Sequence, residues 1–244
     1  MGWGDTLMSM GQARALHKSN RLPVLIVGRD GRPIQSDLFR GVPYIIGRPA
    51  GRQHTRLING PGVRPYIADK TATKWTWRPF KPTPAEIVFT PAEIAFAEPY
   101  RGMVMIEPNG KSIGHDNKMW LRDRWQAVAD ATPGAVQCGS ADWLAGVARA
   151  PTPTFRHALA VLSVCRAFVG TEGGLMHGAA AVGTPAVILW SEFISPEITG
   201  YAQHRNIRHA GKPCGSRTDC PGCRRSMEAT TVDEVVQNLQ EILE

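Results

Sequence analysis

The chain has 244 residues, 43% of them hydrophobic and 20% charged, with a formal net charge of +7. That balance describes a folded globular protein with an ordinary core, excludes a disordered chain, and leaves no apolar run long enough to span a bilayer. The excess charge sits in residues 1–100, with 14 Lys and Arg against 7 Asp and Glu, whereas residues 101–244 carry 14 of each. The first part is therefore expected to face an acidic partner. The start of the chain lacks a basic-then-apolar leader, so the expected location is cytoplasmic, or peripheral to the inner membrane.

In chain order, the spacing of Leu7, Met8, Met10, Ala13 and Leu16 predicts a helix over 6–18. "PVLIVG" (23–28) reads as a strand and "VPYII" (42–46) as a second. Residues 47–84 are rich in Gly, Pro and Arg and read as long loops, with "RPYIAD" (64–69) as a short element. "KWTWRPFK" interleaves Trp75, Trp77 and Phe80 with basic residues, a pattern that either stacks on rings or packs a loop on the core. "EIVFT" reads as a strand, "EIAFA" as helical and "EPYRG" (98–102) as a linker. Beyond it come a strand at 103–110, an amphipathic helix at 118–131, a strand at 135–139, a short helix in "ADWLAGVA" and a helix at 154–165. Strands alternating with helices predict a parallel sheet, so the fold class is α/β. "TTVDEVVQNLQEILE" opens with Thr231 three residues before Glu234, a capping-box start to a terminal helix.

The most informative stretch is "FVGTEGGLMHGAAAVGTPAVILW" (168–190). It reads as strand, turn, helix and strand, with Glu172, Gly173 and Gly174 at the turn and the helix over 175–182. In open α/β sheets ligands bind at the carboxyl ends of strands, where a helix N-terminus offers free amides to an anion. A tight turn that needs glycine is the plainer reading. Of the five cysteines, Cys214, Cys220 and Cys223 form C-x5-C-x2-C, with His209 five residues upstream. These are the residue types of a structural zinc site; free thiols are the alternative.

Three separated stretches make the chain resemble glycosyltransferase family 9, the heptosyltransferase-like enzymes of the GT-B architecture. They are "GWGDTLMSMGQARALH" (2–17), "IEPNGKSIGHDNKMWLRDRW" (106–125) and the 168–190 stretch, which is similar to the family's D-T-G-x-x-H signature. The resemblance implies two Rossmann-like domains with parallel sheets, the N-terminal one reduced. Residues 1–100 would form a basic, shortened acceptor-side domain and 101–244 a nucleotide-sugar-binding domain with a terminal helix. It also implies inverting sugar transfer from a nucleotide-diphosphate sugar, without a catalytic metal or resident cofactor. The acceptor would be an anionic glycan or lipid-linked glycan such as lipopolysaccharide core.

Carried over residue by residue, the resemblance makes Asp5 the general base and Lys118 the phosphate contact. Gly173 and Gly174 hold the diphosphate through their amides, and Glu172 and His177 contact sugar or phosphate. Asn109, Lys111 and Ser112 are further donor-side candidates, and Asp142 and Phe155 are considered for the donor base. Without the resemblance, Asp5 is a helix cap, Lys118 an exposed helix lysine and His177 a structural histidine. The chain departs from the family in having Met1 directly before the glycine-rich loop and Glu172 in place of Asp. Two other readings stay open: a transferase acting on nucleic acid, and a non-catalytic nucleic-acid-binding protein built on the basic first part.

Overall fold

The computed structural model describes residues 2–49, 51, 53–60, 63–109, 116–139, 142–209 and 211–244. In chain order the elements are α1 (Trp3–Asn20), β1 (Val24–Val27), β2 (Thr55–Ile58), β3 (Ile67–Lys70), β4 (Trp75–Trp77), α2 (Pro91–Ala97), β5 (Val104–Glu107), α3 (Arg122–Asp130) and β6 (Ala135–Cys138). They continue with β7 (Ala148–Ala150), α4 (Phe155–Val164), β8 (Ala167–Thr171), α5 (Gly174–Val182), β9 (Ala186–Trp190), α6 (Pro196–Thr199), β10 (Arg205–Arg208), α7 (Pro221–Ala229) and α8 (Val232–Leu243).

Six strands form one parallel sheet in the order β10-β9-β8-β5-β6-β7. Numbered from β5, this is the 3-2-1-4-5-6 order of doubly wound nucleotide-binding sheets. The central strands are mainly apolar because both of their faces are covered, with the polar exceptions Glu107 and Thr171 at the carboxyl ends of β5 and β8. Met105, Phe168, Ile188 and Trp190 point into a core shared with Leu7 and Met10 of α1, Leu159 and Leu162 of α4, and Met176 of α5. Their neighbours Val104, Ile106, Val169, Val187 and Leu189 point to the other side, against Trp125 and Val128 of α3 and Val235 and Leu239 of α8. The chain leaves β5 toward β6 on one side and returns through β8 toward β9 on the other. A crevice therefore opens at the carboxyl ends of β5 and β8.

The helices take local signals that the sequence displays. Thr154 accepts a hydrogen bond from the His157 amide at the start of α4, and Gly183 ends α5 at φ 80°, a backbone that favours glycine. Thr90 and Glu93 form a complete capping box at the start of α2. Thr231 caps α8 by accepting from the Glu234 amide.

The first part of the chain holds a two-stranded parallel sheet, β1 with β2, and an antiparallel ribbon, β3 with β4. Its helices pack on the C-terminal layer: α1 lies on α5 and α2 on α4. The guanidinium of Arg156 on α4 meets the Glu93 carboxylate of α2 through contacts of 2.6 and 2.7 Å, and also reaches the Val88 carbonyl at 2.6 Å.

Several local expectations change. The first helix begins at Trp3 rather than Thr6, so Asp5 lies inside its first turn and is not its cap. "VPYII" contributes only an isolated bridge between Ile45 and Val24, because its backbone turns over 40–45. "EIVFT" forms no strand; it is an extended lead into the Thr90 cap. The helix expected from 118 starts at Arg122, which leaves Lys118 in a separate 3-10 turn, Asp116–Lys118. No helix forms over the described part of "ADWLAGVA": Gly146 sits at φ 71° and the segment runs into β7, which pairs with β6.

Candidate active site

The crevice at the switch point is a cleft of about 1050 Å³. Its floor is the end of β8 and the start of α5. Gly174 opens the helix, and Gly173 before it is extended, so the first-turn amides have no intrahelical acceptor. A Cβ on Gly174 would stand 3.4 Å from both Phe155 Cζ and Trp3 Cβ, so these two side chains sit closely over the turn. Trp3 and Phe155 stack nearly parallel, with ring centroids 5.2 Å apart.

Lys118 forms an ion pair with Glu172, both partners largely buried, and its ammonium lies 4.6 Å above the Phe193 ring. Glu172 is one methylene longer than Asp, and that length carries its carboxylate to the lysine. Both residues line the cleft together with Gly173, Gly174 and Asn109. Lys111 and Ser112 lie outside the described residues.

From the opposite side, α1 delivers Asp5 to the same cleft, 9% exposed. The Tyr66 hydroxyl donates to its Oδ1 at 2.5 Å, and Arg64 approaches Oδ2 at 2.8 Å. Burial and the adjacent Asp5 carboxylate push the Tyr66 phenol well above its usual range, so it stays a neutral donor. Sequence reasoning missed Arg64 and Tyr66. "RPYIAD" showed a short element, but nothing local ties it to Asp5.

His177 is only 2% exposed and stands at the joint between α1 and α5. Its Nδ1 is 2.9 Å from the Tyr201 hydroxyl, and a Cβ on Gly4 would sit 2.7 Å from its Cδ2. Burial lowers its pKa to about 4, so the ring is neutral at physiological pH. Beyond Tyr201 lies His204, whose two buried ring nitrogens have no hydrogen-bond partner among the described residues.

The structure adds a carboxyl that lies within the 106–125 stretch but carries no motif signal of its own. Glu107 ends β5 in the cleft, 7% exposed, and accepts from the Asn109 amide at 2.9 Å. Burial raises its pKa to about 7. The nucleoside-side candidates Asp142 and Phe155 also line this cleft, as do Trp75 of β4 and Arg217 of the cysteine loop. Trp75 and Trp77 are half-buried packing residues: both contact Phe193, and Arg64, Lys70 and Arg217 gather around the Trp75 ring. The aromatic stretch is thus engaged within the fold.

The sulfurs of Cys214, Cys220 and Cys223 all lie within 4.8 Å of one another, with Cys214 3.4 Å from Cys223 and 3.7 Å from Cys220. Thiolates on one tetrahedral ion at about 2.3 Å stand about 3.8 Å apart, so the cluster fits a single thiophilic ion. The hydrogen bond from the Cys223 thiol lowers the Cys214 pKa to about 6. His209 is not with them; its Nε2 is 2.7 Å from the Glu234 carboxylate, at the start of α8. Only its residue type and its nearness in the sequence make it a candidate, with no particular claim to be a fourth ligand.

A parallel 3-2-1-4-5-6 sheet with its cleft at the switch point, faced by the start of a helix from the first part of the chain, defines the class: an α/β fold of the GT-B type. Residues 84–220, more than half of the chain, match the family model described as glycosyltransferase family 9 (heptosyltransferase), and the chain belongs to that family. Among solved structures, the E. coli ADP-heptose LPS heptosyltransferase II is 21% identical, with a TM-score of 0.50 over 65% of this chain and 53% of its own. A family 9 glycosyltransferase from Veillonella parvula is 15% identical, with a TM-score of 0.49 over 66% and 54%. The chain therefore spans about half the length of these structures. No curated protein matches the sequence. No helix among the described residues is long and apolar enough to cross a membrane.

Proposed function

We propose that the cleft is a glycosyl-transfer site, moving a sugar from a nucleotide-diphosphate donor to a hydroxyl of an anionic acceptor such as a cell-surface glycan. The observation that carries this reading is the meeting of Asp5 with Lys118 and the Gly173–Gly174 helix start in one cleft at the switch point. The donor diphosphate sits on the first-turn amides of α5, where the helix dipole favours an anion. Lys118 turns from Glu172 to the leaving diphosphate and offsets the charge that develops as the glycosidic bond breaks. Asp5, held by Arg64 and Tyr66, accepts the proton of the acceptor hydroxyl as that oxygen attacks the anomeric carbon from the opposite face, so configuration inverts. Lysine and helix amides supply the positive charge in this scheme, and no metal is needed at the reacting centre. Arg64, from the basic first hundred residues, and Arg217, from the 214–220 loop, give the acceptor side its cationic lining. A cytoplasmic location, where nucleotide sugars are available, belongs to the same reading.

Thermal unfolding against ADP-, GDP-, UDP- and CMP-sugars tests it. One nucleotide class at about 100 times its Kd should add about 2.7 kcal/mol and raise the midpoint by several degrees. A protein whose midpoint responds to none of them is not using this cleft for a nucleotide sugar. Transfer that stops in EDTA while the midpoint is unchanged would remove the metal-independent step, whereas a midpoint that itself falls in EDTA points to an ion at the cysteines.

A further inference from the structure

The loop from Cys214 to Cys220 is tied to both walls of the cleft. On the donor wall, Asn117 Nδ2 donates to the Ser216 carbonyl at 2.9 Å and the Thr218 carbonyl at 2.8 Å, while its Oδ1 accepts from the Cys220 amide at 3.0 Å. Both donors and the acceptor of this buried amide are therefore committed to one loop. On the other wall, the Trp75 amide donates to the Gly215 carbonyl at 2.9 Å and the Arg217 amide to the Thr73 carbonyl at 2.8 Å. The base of the loop is fixed by the Cys214 and Gly215 amides, which donate to the carbonyls of Glu192 and Phe193 at 2.7 and 3.0 Å.

Asn117 immediately precedes Lys118, and the two share the 3-10 turn Asp116–Lys118. That turn is too short to hold itself, since a single turn fixes several dihedrals for little hydrogen bonding. Its anchorage is the loop, a hundred residues away in sequence. The ring under the Lys118 ammonium belongs to Phe193, whose carbonyl the same loop engages.

We propose that Asn117 is a positioning residue: it locks the turn carrying Lys118 to the 214–220 loop, so that affinity for the donor diphosphate depends on that loop. The inference rests on Lys118 being the phosphate ligand, as read above. With the anchor gone, binding must order both the lysine and its turn, and the entropy of doing so weakens affinity by about 5- to 20-fold.

The test is a double-mutant cycle read by calorimetric titration with ADP, GDP, UDP and CDP, following whichever binds the wild type. Lys118→Ala should weaken binding by about 10- to 100-fold, the loss of one charge-assisted contact. Asn117→Ala should weaken it by about 5- to 20-fold, and the double variant should bind within about twofold of Lys118→Ala alone. Losses that multiply in the double variant, or an Asn117→Ala protein that binds like wild type, overturn the proposal. A Lys118→Ala protein that binds like wild type overturns the reading of Lys118 and this inference with it. Hydrogen exchange on the wild type needs no variant: because coupling is reciprocal, the same nucleotide should slow exchange of the Cys220 amide. Unchanged exchange in the saturated protein overturns the proposal as well.

Discussion

Tyr66 and Asp5, sixty-one positions apart, share a 2.5 Å hydrogen bond inside the cleft. With Arg64 on the other oxygen, the carboxylate is held from two sides before any acceptor arrives. Asp5→Asn should lower transfer by at least about 100-fold, the usual reach of a general base, and leave the nucleotide-induced rise in midpoint unchanged. Full activity in the Asp5→Asn variant would remove Asp5 as the base.

Tyr66→Phe isolates the hydrogen bond, because the ring keeps its stacking on Trp77 and its tilted contact with Phe80. Loss of the donor should reduce kcat about tenfold with little change in donor KM, and cost about 1–2 kcal/mol in urea unfolding. A change confined to donor KM would place Tyr66 on the nucleotide instead.

His204 governs part of the acid response. Its pKa falls to about 4 in the fold through burial, below the unfolded value near 6.5. The stability tied to its neutral form is therefore whole above pH 6.5 and lost as pH falls toward 4. The loss is about 3 kcal/mol at most. His177 contributes with the same sign. His204→Phe leaves no buried ring nitrogen unpaired, so it should be neutral or stabilising at pH 7 and flatten the acid limb of midpoint against pH. An acid limb as steep as in wild type would clear His204 of that role.

Glu107 acts with the opposite sign. Its folded pKa of about 7 lies above the unfolded carboxyl value, so its contribution is whole below about pH 4.5 and is lost as pH rises through 7. Glu107→Gln mimics the protonated form and should gain up to about 3 kcal/mol over wild type at pH 8, with no gain at pH 4. Equal midpoints at pH 8 would show that Glu107 does not titrate as described.

Arg156 should matter to the whole fold. It is 3% exposed, and with Glu93, whose pKa its hydrogen bonds lower to about 2, it joins α4 to α2. Arg156→Ala leaves a buried carboxylate unpaired and should cost about 3–5 kcal/mol by urea denaturation. The Arg156→Ala, Glu93→Ala pair should cost less than the sum of the two single changes.

The C-terminal half was legible because its signals are local. β5, β6, β8 and β9 are mainly apolar strands buried on both faces, and α4, α5 and α8 carry their own caps or stops. Asp5, Lys118, Asn109 and the Glu172–His177 stretch were legible through glycine-rich turns and motif spacing, and they line one cleft. β2 and β4 were not, since one pairs with β1 across about thirty residues and the other is stitched to the 214–217 loop. Neither has a periodic pattern of its own. α7 went unread because its Cys and Arg residues look like a metal loop. Arg64, Tyr66 and Asn117 act only through partners far along the chain, and no window of sequence contains both ends of such a contact.

The packing of α1 on α5 and of α2 on α4 sets where the first part of the chain is free to vary. The chain leaves the C-terminal layer after α1 and rejoins it at α2, so the intervening residues form an excursion with both ends moored on the same support. The proposed base rides on the mooring. An exchange of the excursion between relatives can therefore reshape that lip of the cleft while Asp5, carried on α1, keeps its place in the same cleft as Lys118.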